Sequence, residues 1–502
     1  MRLRSPIKAP PPQVAVVRII ATALCCSLGA LNACKVGPNY DKPTEVPAQT
    51  WTSSSTPSVT PSEPELNEWW KRFNDPILDQ LVAQAQQSNA TLEQSLANVR
   101  VAFAALGVSE SEYWPSISTA VLYERTKTNI AQLAAAGVET QPYSLWAGGA
   151  AMASWEIDLW GRVARTVESS RASLESQVED LRDALVSIRS QVGMTYMQVR
   201  TTQLQIAIAT SGADNLRQTL NVTTQKYQAG TTTLLDVNQA QTDLDMQLAT
   251  IPALEQSLAA SIFSLGQLCG TTPAPMLELL APVAPIPAGP LTVGVGIPAD
   301  LLRRRSDVRS SERLAAAAVA TIGATEALNL PTFSLAGNFY LASNQFSGLG
   351  SWSNNAYSFG PTVSWLVFQG GYVNSLIAQS KGQAQAALAN YRNTVLSAIQ
   401  DVETCISALT QSQRSTQSYQ TAVAHAQATS DLGTLQYQAG TIDLQQLLQI
   451  QNMLLDAQNS LAQSRGYVAQ NIVNLYRALG GGWEDSSMST TADDIAKGKG
   501  SS

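Results

Sequence analysis

The one side chain whose surroundings announce a covalent chemistry is Cys34. Arg2, Arg4, Lys8 and Arg18 precede the apolar run from Ile19 to Ala30, which closes on Leu31-Asn32-Ala33-Cys34. A basic region, a short apolar core and a small residue before a cysteine make up an export signal whose cleavage frees the thiol for diacylglycerol; the core is too short to span a bilayer comfortably. We therefore expect a signal peptide over 1–33 and a lipid anchor on Cys34, with ordinary cleavage elsewhere as the alternative. Lys35 stands where an aspartate would retain the chain at the inner membrane, so the expected address is the outer membrane.

Other reactive chemistry is thin. His425 is the single histidine, and after export only Cys269 and Cys405 remain beside Cys34, expected as free thiols. With no clustered His, Cys or carboxylate set, an enzyme is the poorest reading, and no cofactor or metal is expected beyond the covalent lipid. Arg303-Arg304-Arg305 could hold an anion, but salt bridging within the subunit is the preferred reading. A net charge of −7 argues against nucleic acid as a partner.

Positioning therefore falls to the repeat. Tyr227-Gln228-Ala229-Gly230-Thr231 returns as Tyr437-Gln438-Ala439-Gly440-Thr441, an offset of 437 − 227 = 210, and Trp155 pairs with Trp365 and Gly161 with Gly371 at the same offset. An internal two-fold repeat of this length means duplication of a half-protein. No proline interrupts Gly161 to Tyr227 or Gly371 to Tyr437, and about 65 residues of helix would run roughly 100 Å. Apolar heptads, Val237, Leu244, Ile251, Leu258 and Leu265 in one copy and Leu447, Leu454, Leu461, Val468 and Leu475 in the other, then return for about forty residues as coiled-coil seams. Each half is a long antiparallel helical hairpin with its glycine turn at the tip. Pro252 is expected to kink the first hairpin only.

Two segments in each half alternate oily and polar residues, at about 115–126 and 143–158, then about 331–342 and 356–368. Either they form a half-buried soluble sheet or they cross a membrane. Four strands cannot close a barrel, and lipid tolerates no open edge, so membrane strands require several chains to share one barrel. The remaining segments are an extended arm over 34–75, a first repeat over 76–270 opening with a helix from Asp75-Pro76 to about Glu112, a proline-rich linker over 271–298, a second repeat over 299–480, and a Gly-, Ser- and Thr-rich tail over 481–502 expected to be disordered.

Taken together, Cys34 with Val36-Gly37-Pro38-Asn39-Tyr40, the stretch from Pro298 to Val308, Pro331-Thr332-Phe333-Ser334-Leu335 and the two tip turns resemble the TolC-type outer membrane efflux family, in its lipid-anchored NodT and OprM branch. The resemblance implies an α+β membrane protein that forms a homotrimer, with four strands per chain in a twelve-stranded barrel continued by a periplasmic α-barrel. Its partners would be outer-membrane lipid, a periplasmic adaptor and an inner-membrane pump of the RND type, and it would pass small toxic solutes outward; type I protein secretion is the alternative duty. It assigns Gln228, Ala229, Gly230, Thr231, Gln438, Ala439, Gly440 and Thr441 to adaptor contact. Where the family commonly narrows the tunnel with aspartates, this chain has Gln446 and Gln449, with Asp443 the nearest acid, facing either the lumen or the adaptor. A gate held more by hydrogen bonds than by charge is expected.

Overall fold

A computed structural model describes residues 35–42, 51–52, 58–60, 62, 66–126, 143–290, 292–298, 304–484 and 487–498. The expected signal peptide and Cys34 lie outside them. In chain order the elements are β1 (Val59–Thr60), α1 (Pro76–Ser88), α2 (Ala90–Ser111), β2 (Ser116–Thr126), β3 (Tyr143–Ile157), α3 (Arg162–Gln228), α4 (Leu234–Leu268), α5 (Pro273–Leu280), β4 (Val293–Gly294), α6 (Ser306–Ala327), β5 (Thr332–Ser343), β6 (Asn355–Ser364), α7 (Tyr372–Gln438), α8 (Leu444–Ala478) and α9 (Ser487–Ala496). Both long helices hold 67 residues and both return helices 35, and all four bounds recur at the offset of 210. Pro252 sits inside α4, which continues through it.

The single opening helix expected to run to about Glu112 is two helices. Asp75 caps α1 by accepting from the amides of Ile77 and Leu78, with Pro76 at the first helical position. At Asn89 the backbone turns extended, and its side chain accepts from Thr91 N at 2.9 Å and Leu92 N at 3.2 Å, starting α2 afresh. An Asn that serves its own backbone this way competes with helix continuation.

Two compact units form. Among the described residues the first takes those from 35–42, 102–173 and 314–388. Its sheet is antiparallel, in the order β2-β3-β5-β6. The ladder between β5 and β6 stays in register through Pro361, which β6 tolerates as the edge of this chain's sheet. Residues 35–42 are clamped to the helices beside it. Val36 N donates to Trp160 O, and Gly37, at φ +90°, sits so close that a Cβ there would lie 2.4 Å from the Cα of Gly323.

The second unit takes residues from 43–101, 174–313 and 389–502. The arm over 34–75 supplies core: Trp51, Leu66, Trp69, Trp70 and Phe73 are buried, and Trp69 stacks on Tyr476 with ring centroids 5.6 Å apart. β1 pairs in parallel with β4. The proline-rich linker contains α5, whose Met276 and Leu280 join the same core. Cys269 and Cys405 are free thiols at this core, the first fully buried. Arg305 of the triple arginine bridges Asp307 and Asp401 and donates to Ala478 O.

The tail expected to be disordered contains α9. Ser489, Ala492 and Ile495 are buried on one face of it, and Asp493 holds both oxygens to Arg182 at 2.8 and 2.9 Å. The reason is electrostatic: Arg182 is buried and also meets Glu179, and its guanidinium covers the Trp483 ring at 4.5 Å. A buried cation holds whatever carboxylate completes its shell.

Candidate functional sites: paired tips and a banded sheet

Both tips are built alike. In the first, Gly230 N donates to Tyr227 O and Thr231 N to Lys226 O, each at 2.9 Å; in the second, Gly440 N donates to Tyr437 O at 3.1 Å and Thr441 N to Gln436 O at 2.9 Å. This is the Schellman closure, which needs a left-handed residue after the helix, and Gly230 and Gly440 have φ of +75° and +76°. No atom lies within 4 Å of the place a Cβ would occupy at either, so conformation alone demands glycine. Gln228, Ala229, Gly230 and Thr231 are all exposed, as are Gln438, Ala439, Gly440 and Thr441.

The caps that follow differ. Thr233 and Asp236 form a reciprocal capping box at the start of α4, where hydrogen bonds from Thr232 and Thr233 hold the Asp236 carboxyl below its ordinary range. Asp443 occupies the matching slot, 443 − 210 = 233, and caps α8 by accepting from Gln446 N at 2.8 Å. Asp443, Gln446 and Gln449 are exposed at spacings of three on α8, while Leu444, Leu447 and Leu448 between them are buried.

The two tips also touch each other, and unequally. Lys226 of α3 sends its ammonium to the carbonyl of Tyr437 near the end of α7, and that ammonium lies 4.0 Å from the Tyr437 ring centroid. The Tyr437 hydroxyl shares a 2.8 Å hydrogen bond with Thr223. Tyr437 is consequently 5% exposed and Leu444 3%, against 43% and 54% for their counterparts Tyr227 and Leu234. Sequence reasoning passed over Lys226 and Thr223 and gave the tyrosine pair no role beyond marking the repeat. The signal was present in the repeat: 226 + 210 = 436, and position 436 is Gln.

The sheet in the first unit has two distinct faces. Across β5 and β6, Phe333 faces Val363, Leu335 faces Pro361 and Phe339 faces Tyr357, while Ser334 faces Thr362 and Asn338 faces Ser358 on the other side. β3 continues both rows, with Trp155 opposite Leu335 and Ala151 opposite Phe339 on the oily face, and Glu156 opposite Ser334 on the polar one. β2 extends them with Ile117 and Thr119 against Ser116 and Ser118.

Aromatic side chains gather at both ends. Tyr123, Trp146 and Phe346 form one contact cluster, with Phe339 and Trp352 beside each other nearby. At the other end Trp155 donates to Tyr113 O at 2.9 Å and its counterpart Trp365 to Asn329 O at 3.2 Å, each gripping the residue three before the first strand of its own hairpin. Along β3 the two bands are 155 − 146 = 9 positions apart. A bulge between Gly148 and Ala151 takes up one of them, since the paired residues on β5 are 343 − 335 = 8 apart, so at about 3.3 Å per residue and a tilt of about 40° the bands differ by roughly 20 Å in height, against the ~25 Å apolar band of a membrane barrel.

The comparisons with known proteins agree with one another. The family model described as "Outer membrane efflux protein" matches residues 81–271 and again 297–481. Nodulation protein T of Rhizobium leguminosarum bv. trifolii is 29% identical over 455 residues, covering 90% of this chain and 95% of that protein. The pyoverdine export outer membrane protein OpmQ of Pseudomonas aeruginosa is 28% identical over 427 residues, 84% of this chain and 88% of its own length. Among solved structures the outer-membrane channel OprN superposes with a TM-score of 0.82 at 31% identity, over 90% of this chain and all of that one.

Proposed function

The chain belongs to the outer membrane efflux protein family, and from that premise we propose that three copies join their four-stranded sheets into one twelve-stranded barrel, with the helical hairpins continuing it as a periplasmic tunnel. It is the outer-membrane channel of a tripartite efflux system, and the small solutes it passes would be handed over by a periplasmic adaptor and an inner-membrane pump of the RND type. No covalent step is required of it. The matching family model is one of efflux proteins and OpmQ is named for pyoverdine export, so protein secretion has no supporting observation.

The observation that carries the trimer is the sheet itself. One face is predominantly oily and the other predominantly polar, yet β2 and β6 have no further partner strand among the described residues. Each unpaired backbone group facing lipid costs several kcal/mol, and edges of ten residues or more cannot be left open there. Pairing β6 of one copy with β2 of the next removes both edges at once. The apolar residues that α4 leaves exposed, among them Leu235, Met246 and Phe263, would then meet neighbouring helices in the tunnel wall. Cysteines placed at Ser118 and Thr362, on the polar faces of the two edge strands, should be joined between chains by a short thiol crosslinker into a covalent trimer; crosslinking that stops at monomers would sink the shared barrel.

At the other functional site, the exposed tip residues Gln228 to Thr231 and Gln438 to Thr441 suit contact with the adaptor, and Asp443, Gln446 and Gln449 suit the gate. What supports the gate is the asymmetry between tips. The second hairpin is fastened to the first through Lys226 and Tyr437, so opening by separation of the hairpins must break that contact. The lipid on Cys34 remains part of this proposal; its support is that Lys35 and Val36 are already fixed, the first to Glu168 and the second to Trp160 O just past the end of β3.

A further inference from the structure

A cavity of about 570 Å³ opens in the first unit, beside the start of β2. Its wall carries Lys35, Glu110, Tyr113, Trp114, Glu168 and Arg171. A third cation, Arg165, is already committed: it is 2% exposed, and its nitrogens donate to Val36 O, Gly37 O, Asn39 Oδ1 and the Glu168 carboxylate. Beside it the wall presents two cations and two carboxylates, of which Glu168 already accepts from Arg165. Arg171 donates to Glu110 at 3.1 Å and Lys35 lies 3.6 Å from Glu168, pairs that are half-exposed and so cheap to open.

The neighbours say where this cavity sits. Trp114 is 75% exposed and Tyr113 40%, both just ahead of Ser116, where β2 begins, and Trp155, of the second aromatic band, donates to Tyr113 O. Exposed tryptophan and tyrosine at such a band belong at the level of lipid headgroups. Lys35, one residue past the expected anchor, is itself part of the wall.

We propose that this cavity binds the headgroup of a phospholipid of the surrounding leaflet, and that it prefers a zwitterionic headgroup with a primary ammonium, that of phosphatidylethanolamine. Alternating charge is the reason. The lipid phosphate would be met by Lys35 and Arg171 and its ammonium by Glu110 and Glu168, whereas a glycerol headgroup would bring the same phosphate but no cation for the carboxylates. A trimethylated ammonium cannot donate hydrogen bonds to those carboxylates, so choline lipids should be second best. Trp114 and Tyr113 would lie against the glycerol and the upper acyl chains. The inference rests on the outer-membrane location and on the sheet crossing the membrane; it does not depend on the gate.

The test is native mass spectrometry of the full-length channel, stripped of lipid and re-equilibrated with phosphatidylethanolamine, phosphatidylcholine or phosphatidylglycerol. We expect one phosphatidylethanolamine retained per chain in preference to the other two. Glu110→Gln and Arg171→Met should each lower that retention about tenfold, the scale of one charge-assisted hydrogen bond, while bilayer conductance stays at wild-type level and shows the fold intact. A Cys34→Ser chain exported by a non-lipoprotein signal should retain phosphatidylethanolamine as well as wild type does. Equal retention of the three lipids, or retention unmoved by both variants, overturns the proposal. So does loss of the lipid on Cys34→Ser, which would mean that the cavity serves the chain's own anchor. A chain missing from the outer-membrane fraction would instead overturn the location on which the proposal rests.

Discussion

Lys226→Met is the sharpest test of how the tips are held together. The substitution keeps an unbranched apolar stem over the Tyr437 ring and deletes only the ammonium, so lost packing is small. Two contributions disappear: a hydrogen bond from a charged donor to the Tyr437 carbonyl, worth about 1.5–3 kcal/mol, and a cation–π contact of about 0.5–1 kcal/mol at a half-exposed site. Solvent fills part of the gap, because the freed carbonyl lies near an exposed tip and can take water, so about 1.5–2 kcal/mol per chain is the working figure. If that contact fastens one hairpin to the other only in the closed state, the closed-to-open ratio of each chain should fall by about tenfold or more. Single-channel recording in planar bilayers reads this directly as longer open dwell times. Two comparisons separate the latch from the rest of the gate. Tyr437→Phe removes the hydroxyl bond to Thr223 but leaves the carbonyl for Lys226, and should open the channel far less. Gln446→Ala and Gln449→Ala test the expectation of a hydrogen-bonded gate on α8. An unaltered open probability in Lys226→Met, from a trimer of wild-type thermal stability, would refute the latch.

Other substitutions probe the scaffold. Gly440→Ala forces a left-handed alanine with open space around it and should cost about 1 kcal/mol, whereas Gly323→Ala pushes a methyl to 2.5 Å from the Val36 carbonyl and should cost about 2–3 kcal/mol; thermal melting of the two proteins should rank them in that order. Asp493→Ala leaves Arg182 with Glu179 but without its second carboxylate, and because Asp493 is more than a third exposed the loss should be about 1–2 kcal/mol, read as a lower melting temperature and as protease cleavage of the C-terminal segment. The Asp183 carboxyl is pushed up to about 6 by burial, with Asp307 adding to the effect and Arg305 opposing it. A carboxyl with a raised folded value binds its proton more tightly in the native state, so stability should fall as pH rises from about 4 to about 6 and then level off. Asp183→Asn should abolish that slope and raise the melting temperature at pH 7; a slope that survives the substitution assigns it to another group.

What could be read from the residues alone was whatever is decided within one turn or one strand. The glycine tips announced themselves because a Schellman closure needs a left-handed residue, and the strands because a two-sided sheet enforces a period of two. The Asp75-Pro76 start was legible for the same local reason. Partners distant in the chain were not legible. Nothing near Asp493 signals that Arg182, 311 positions earlier, will hold it, so Gly, Ser and Thr composition pointed to disorder where a helix packs. The break at Asn89 was misjudged because an asparagine inside an apolar pattern can leave its side chain in solvent or spend it on capping, and the choice is made by tertiary contacts: here its amide also donates to Leu268 O. The repeat sharpens this distinction. Where the copies agree, as at Trp155 and Trp365 or Gly230 and Gly440, each residue does the same local task twice. Where they differ, Lys226 against Gln436 and Thr233 against Asp443, one hairpin has become the support and the other the part it fastens. Equal copies would leave either tip as free to move as the other. Divergence at these slots goes with a structural difference between the tips, the exposure of Tyr227 and Leu234 against the burial of Tyr437 and Leu444.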